Sequence, residues 1–142
     1  MTIEDFCSKY VGTYIDHDFA FGPQCVDLNK RYSKEMLGVN LGRFGRGPVT
    51  AWVNGGTFKF EDFHKVINTP TNYPVCGDQI IFGQTGTNIF GHIAIVLYAD
   101  KYQIKVFEQN GNIGHGGTVC KYNTYDYVGK KIGKVLGWYR KK

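Results

Sequence analysis

Apolar positions along the first quarter of the chain recur at helical spacing. Thr2 followed by Asp5 resembles a capping box, with Asp in place of the usual Glu or Gln, and Ile3, Phe6, Tyr10 and Val11 then share one face. That predicts a short helix ended by Gly12. A second helix is predicted to open at Pro23, which a first turn tolerates because its missing N–H would be unpaired there. Cys25 falls in that first turn, and Leu28, Tyr32, Met36 and Leu37 continue the face until Gly38 caps it. Residues 38 to 48, with four glycines and Pro48, read as an irregular loop exposing Arg43 and Arg46. A helical turn through Ala51, Trp52 and Val53 stops at Asn54-Gly55-Gly56.

From about residue 57 the period becomes alternating. Strands are expected at 63–67, at 79–82 after the Gly77-Asp78 turn, and at 92–98, whose run His-Ile-Ala-Ile-Val-Leu-Tyr marks a central position. A turn at 99–101 leads to a hairpin partner over 102–109. Residues 110–118 read as a Gly-rich loop, and 134–139 as a closing strand. Helices first and an antiparallel sheet after give an α+β class, with the helices packed on one side.

The length of 142 residues suits one domain, and abundant Tyr, Phe and Gly fit short strands and tight turns. There is no apolar run of about 18 residues, so no membrane span is expected. Met-Thr-Ile-Glu-Asp lacks the basic and apolar regions of a secretory signal. The expected route is synthesis in a cytoplasm and, for work outside, exit by another path. The net charge of +5 gathers partly in Lys130, Lys131, Lys134, Arg140, Lys141 and Lys142, which could meet a polyanion such as an acidic wall polymer. No RNA-binding or helix-turn-helix signature accompanies it, so no nucleic-acid partner is expected. Cys7, Cys25, Cys76 and Cys120 are widely spaced, which suits neither zinc nor a disulfide framework. One working cysteine and three that pack or sit idle is the simplest partition.

Cys25 is the candidate for the working one, the alternative being a small buried hydrophobe. A thiol in a helix's first turn lies beside unpaired N–H groups and the positive end of the dipole, and both favour the nucleophilic thiolate. His92 opens the central strand and would stand at the sheet's rim, facing that helix. A turn near residue 100 brings residue 108 opposite 92, so Glu108 or Asn110 should lie beside the imidazole. Nucleophile, base and orienting group are what a thiol hydrolase needs. Trp52, Phe90 and Tyr73 offer aromatic faces for a substrate groove or for the core.

The segments Q-C-V-D-L (24–28), G-D-Q-I-I-F (77–82), G-H-I-A-I-V (91–96), F-E-Q-N (107–110) and the final G-W-Y-R together resemble a CHAP domain. These are the cysteine, histidine-dependent amidohydrolases/peptidases of phage endolysins and bacterial autolysins. The resemblance implies a papain-like (NlpC/P60-type) fold over 1–142, with N-terminal helices on a central antiparallel sheet. It implies Cys25 as nucleophile, His92 as base, Glu108 as orienting group and Asn110 as a fourth member. The implied partner is bacterial peptidoglycan, cut at a cross-bridge, stem-peptide or muramoyl–alanine amide after holin-type release or from a virion. A wall-binding domain beyond the basic tail would suit such a lysin.

It also implies Ca²⁺ held by Asp16, Asp18 and Asp27, with Ala20 and Gly22 supplying carbonyl or water-mediated ligands. Three carboxylates converging at a loop–helix junction repel unless a cation sits among them, and irregular oxygen coordination suits calcium. The loop lacks the glycine and closing glutamate of an EF-hand. Two other readings remain at this stage: a wall-binding module with a non-functional Cys/His site, and an intracellular thiol protease.

Overall fold

A computed structural model describes residues 1–18, 24–110 and 118–142. Its order is α1 (Ile3–Tyr10), α2 (Cys25–Tyr32), α3 (Pro48–Asn54), β1 (Phe63–Ile67), β2 (Gln79–Phe82), β3 (His92–Ala99), β4 (Ile104–Asn110), β5 (Thr118–Tyr125) and β6 (Val135–Lys141). The Thr2–Asp5 capping box is formed in full, each side chain accepting the other residue's backbone N–H. Phe6, Cys7 and Tyr10 of α1 are buried, while Val11 stays exposed as the C-cap. Gln24 caps α2, so Cys25 is its first helical residue. Pro23 lies outside the described residues. A π-helical turn over Ser33–Leu37 prolongs α2, and Gly38 ends it at φ +70°, the left-handed conformation glycine adopts at low cost.

Among the described residues six strands form one antiparallel sheet in the order β1-β6-β2-β3-β4-β5. Both faces are apolar. On one, Phe63, Ile81, Ile93, Ile95, Phe107 and Tyr139 meet α1, α2, α3 and the aromatics Phe44 and Phe58. On the other, Ile80, Phe82, Ala94, Val96, Ile104, Val106 and Trp138 form a second core that reaches from Val66 of β1 to Tyr125 of β5. Each such side chain contributes about 1.5–3 kcal/mol on full burial. Among the described residues no helix is long and apolar enough to cross a membrane.

The structure corrects one expectation and adds one strand. The hairpin register differs from a simple fold about residue 100: Ile95 pairs with Phe107 and Val96 with Val106, and an irregularity follows between Val96 and Tyr98. Continuing that ladder sets Glu108 beside Ala94, which makes it a diagonal neighbour of His92. A strand, β5, occupies 118–125, which had no assignment. Of the three aromatics that the sequence offers to a groove or to the core, Trp52 is in the core, buried edge-on against Tyr139 at 5.2 Å between centroids, while Phe90 and Tyr73 are half exposed.

Gly137 explains how α3 docks. A Cβ there would lie 2.1 Å from the Val66 carbonyl oxygen and 2.5 Å from the Trp52 ring. Only a bare backbone lets the indole lie against β6.

Candidate active site

Cys25 and His92 each begin an element, and they meet at those ends. His92 is 1% exposed, its ring 5.9 Å from that of Phe82. Its Nε2 lies 2.9 Å from Glu108 Oε1. Cys25 is the other side chain whose proximity acts on the ring. Burial disfavours an imidazolium here. The hydrogen bonds and charges of Cys25 and Glu108 outweigh it and push the pKa up to about 10.

Glu108 is fully buried yet held below the usual carboxylate range. Burial opposes ionisation, but the His92 hydrogen bond and charge, with hydrogen bonds from Tyr125 and Asn123, prevail. Its Oε2 accepts the Tyr125 hydroxyl at 2.7 Å and Asn123 Nδ2 at 3.0 Å, and the same amide donates to the Tyr125 oxygen at 3.0 Å. These two β5 residues were not anticipated. The alternation of Thr118-Val-Cys-Lys-Tyr-Asn-Thr-Tyr125, rich in β-branched and aromatic residues, could have revealed the strand. Nothing in it indicates the carboxylate they serve.

Gly91 sets His92 in place. Its φ is +73°, and a Cβ there would meet Val49 Cγ2 at 2.4 Å and the Phe82 carbonyl at 2.6 Å. The backbone of Phe90 accepts Val49 N–H at 3.0 Å, joining α3 to the start of β3. On the other side, α2 is tied to β2 by a buried row in which Asn29 Nδ2 donates to Gln79 Oε1 (2.8 Å) and Gln79 Nε2 to Ser33 Oγ (2.9 Å). Of the remaining thiols, Cys7 and Cys120 are buried and Cys76 is exposed; all four cysteines are free. Asn110 closes β4, and its side chain lies outside what is described.

The acidic residues do converge. Asp16, Asp18 and Asp27 each bring a carboxylate oxygen within 4.8 Å of the others. Asp27 is fully buried. Its Oδ2 accepts the Gln24 N–H at 2.8 Å, while its Oδ1 and that of Asp16 are buried without a hydrogen-bond partner. Burial first, opposed by backbone hydrogen bonds and reinforced by the charges of Asp18 and Asp16, pushes the Asp27 carboxyl up to about 7. Lys30 Nζ reaches Asp18 Oδ2 at 2.9 Å. Orphaned, buried carboxylate oxygens pointing together fit a hard cation. Ala20 and Gly22 lie outside the described residues. A cleft of about 280 Å³ opens beside this group, lined by His17, Asp18, Lys30, Asn40, Leu41 and Arg43 among others.

A thiol at a helix start beside an imidazole at a strand start, on helices packed over a six-stranded antiparallel sheet, defines a papain-like α+β fold. Within that class the chain belongs to the CHAP domain family, whose profile matches residues 14–110 and so takes in Cys25, His92, Glu108 and Asn110. Among curated proteins the chain is similar to Endolysin PlyTW of Staphylococcus phage Twort, 28% identical over 137 residues. That match covers 89% of this chain but 27% of the phage protein, so the chain spans about a quarter of that relative's length. Among solved structures it is similar to a wild type endolysin, LysIME-EF1, with a TM-score of 0.74 at 18% identity over 99% of this chain and 64% of the other. Ly7917 follows with a TM-score of 0.62 at 16% identity, over 99% and 62% of the two chains.

Proposed function

We propose that this chain hydrolyses an amide bond of bacterial peptidoglycan by acyl transfer through Cys25. The observation that carries the reading is the half-buried Cys25 thiol beside the buried, hydrogen-bonded His92–Glu108 pair. Membership of the CHAP family and the similarity to phage endolysins support the wall as substrate.

With the imidazolium between the sulfur and the Glu108 carboxylate, Cys25 enters as thiolate and attacks the amide carbonyl. The C–N bond breaks as His92 passes its proton to the departing amine. The neutral imidazole then takes a proton from water, whose oxygen attacks the thioester and frees the carboxylic acid and the thiolate. Glu108 keeps the ring's orientation and stabilises its positive form. The Cys25 backbone N–H at the start of α2 would help hold the oxyanion, and Asn110 is assigned a supporting place beside His92. Site of action is the wall itself, with 1–142 as the catalytic unit.

Asp16, Asp18 and Asp27 would hold Ca²⁺, with carbonyl or water ligands around Ala20 and Gly22. The ion would neutralise the converging carboxylates and so fix the loop leading into Cys25.

The test is clearing of purified cell walls by the parent and by Cys25→Ala, followed by mass spectrometry of the released muropeptides. New amine and carboxyl ends absent from the Cys25→Ala digest are expected, and they identify the bond as cross-bridge, stem or muramoyl–alanine. Binding to walls without new ends would make the chain a wall-binding module. Cleavage of soluble protein instead would make it a protease of another kind.

A further inference from the structure

β4 carries two neighbouring polar side chains that are both fully buried, Glu108 and Gln109. Glu108 serves His92. Gln109 has no part in that row, and it is saturated with bonds of its own. Its Oε1 accepts the Ile15 N–H at 2.6 Å and the Cys120 thiol at 3.4 Å. Its Nε2 donates to the Ile15 carbonyl at 2.7 Å and to the Gln24 carbonyl at 2.8 Å. Two donors and two acceptor positions are thus all used. Two carbonyls on one side and an N–H on the other also leave the amide a single orientation.

The placement of these partners is what matters. Ile15 immediately precedes Asp16, and Gln24 immediately precedes Cys25. The acidic loop therefore leaves and returns at one amide group. Gln24 is also the N-cap of α2, and its carbonyl accepts the Asp27 N–H at 3.0 Å. Whatever holds that peptide holds the first turn of the helix and the sulfur on it.

We infer that Gln109 is a positioning residue for the nucleophile: by clasping the backbone of Ile15 and Gln24 it sets the Cys25 sulfur against His92. One dipeptide of β4 then places both halves of the pair, Glu108 the imidazole and Gln109 the thiol. The inference rests on Cys25 being the nucleophile.

Two variants of the whole chain test it. Gln109→Met keeps the length of the side chain and loses its hydrogen bonds. Gln109→Glu keeps the acceptor for Ile15 N–H but turns an oxygen toward two carbonyls. Gln79→Met is the control, because Gln79 is equally buried and ties α2 to β2 through Asn29 and Ser33, away from the helix start. Turnover of solubilised peptidoglycan gives kcat and KM. Iodoacetamide labelling of Cys25 across pH, read by peptide mass spectrometry, gives the behaviour of the sulfur, and melting gives stability.

Gln109→Met is expected to lower kcat at least about tenfold with KM within about twofold, and to shift the labelling profile of Cys25. Gln79→Met should lower the melting temperature while kcat stays within about twofold. Gln109→Glu should fall as far as Gln109→Met at neutral pH. It should regain activity relative to the parent as pH drops, because the protonated carboxyl can again donate to a carbonyl. That recovery also decides the matter if Gln109→Met does not fold.

A folded Gln109→Met with kcat and labelling close to the parent's overturns the inference. So does a Gln109→Glu whose loss is the same at every pH. An active Cys25→Ala would instead sink the underlying reading, whereas an inactive Cys25→Ala beside a normal Gln109→Met would sink this inference alone.

Discussion

Tyr125 and Glu108 meet across β4 and β5, the tyrosine hydroxyl donating to Oε2 at 2.7 Å while Oε1 faces His92 at 2.9 Å. The carboxylate is therefore supported from behind by the same group whose loss its partner would feel. Tyr125→Phe removes one hydrogen bond to a buried anion, which costs about 1.5–3 kcal/mol. Less support for the Glu108 charge means less support for the imidazolium. Activity should fall several-fold to about a hundredfold, and the alkaline limb of the pH–rate profile should move to lower pH. Asn123→Ala should act in the same direction. An unchanged alkaline limb in both variants would show that β5 does not tune the pair.

The His92–Glu108 pair should also make stability depend on pH. His92 is raised from 6.5 to about 10, so what it adds is complete below about pH 6.5 and is lost as pH climbs through about 10. Glu108 is lowered from 4.5, so its share is present above about pH 4.5 and is lost as pH falls through the depressed value. Glu108→Gln strands a buried imidazole and should cost about 3 kcal/mol or more. The gap in melting temperature between parent and variant should be widest from about pH 4.5 to 6.5 and close toward strong alkali. A gap constant from pH 4 to 11 would contradict the ion pair.

Cation binding has its own readout. A ligand held by the folded chain alone adds about 2.7 kcal/mol at a hundred times its dissociation constant, which is several degrees of melting temperature for a domain of this size. EGTA should lower the melting temperature, and Ca²⁺ should restore it where Mg²⁺ does not. Asp27→Asn should abolish the Ca²⁺ shift, because it neutralises the most buried of the three carboxylates. Equal melting temperatures with chelator and with calcium would remove the ion from the account.

Gly91→Ala tests the approach of β3 to α3. The left-handed φ costs a non-glycine residue about 1–2 kcal/mol, and overpacking adds about 1–3. Both act one residue from His92, so activity should fall together with melting temperature. Val49→Ala in the same chain relieves the 2.4 Å contact and should restore part of each, leaving the Phe82 carbonyl contact in place. No recovery in the double variant would put the damage elsewhere.

The elements with local signals were legible in the sequence. The Thr2–Asp5 cap, β1 at 63–67 and β2 at 79–82 stand where the residue pattern puts them, and Cys25 does fall in the first turn of its helix. The β3–β4 register was not legible. An apolar run buried on both faces has no alternation to fix its phase, and the irregularity near Leu97 leaves no mark in composition. Glu108 still reaches His92 because long side chains span a diagonal. Tyr125, Asn123 and Gln109 were missed for another reason. Each acts on a partner 15 or more residues away, such as Gln109 on Ile15, and no periodicity encodes a contact that only the folded sheet creates.

β6 lies between β1 and β2, and Arg140 forks onto Asp78 from its far end, with Nη2 2.7 Å from Oδ2. The strand nearest the end of this domain is thus a keystone and not a border. Until residues 135–141 leave the ribosome, two ribbons with open rims wait for the piece that joins them. Cutting those residues away should therefore give a sticky, aggregating polypeptide rather than a slightly smaller folded domain.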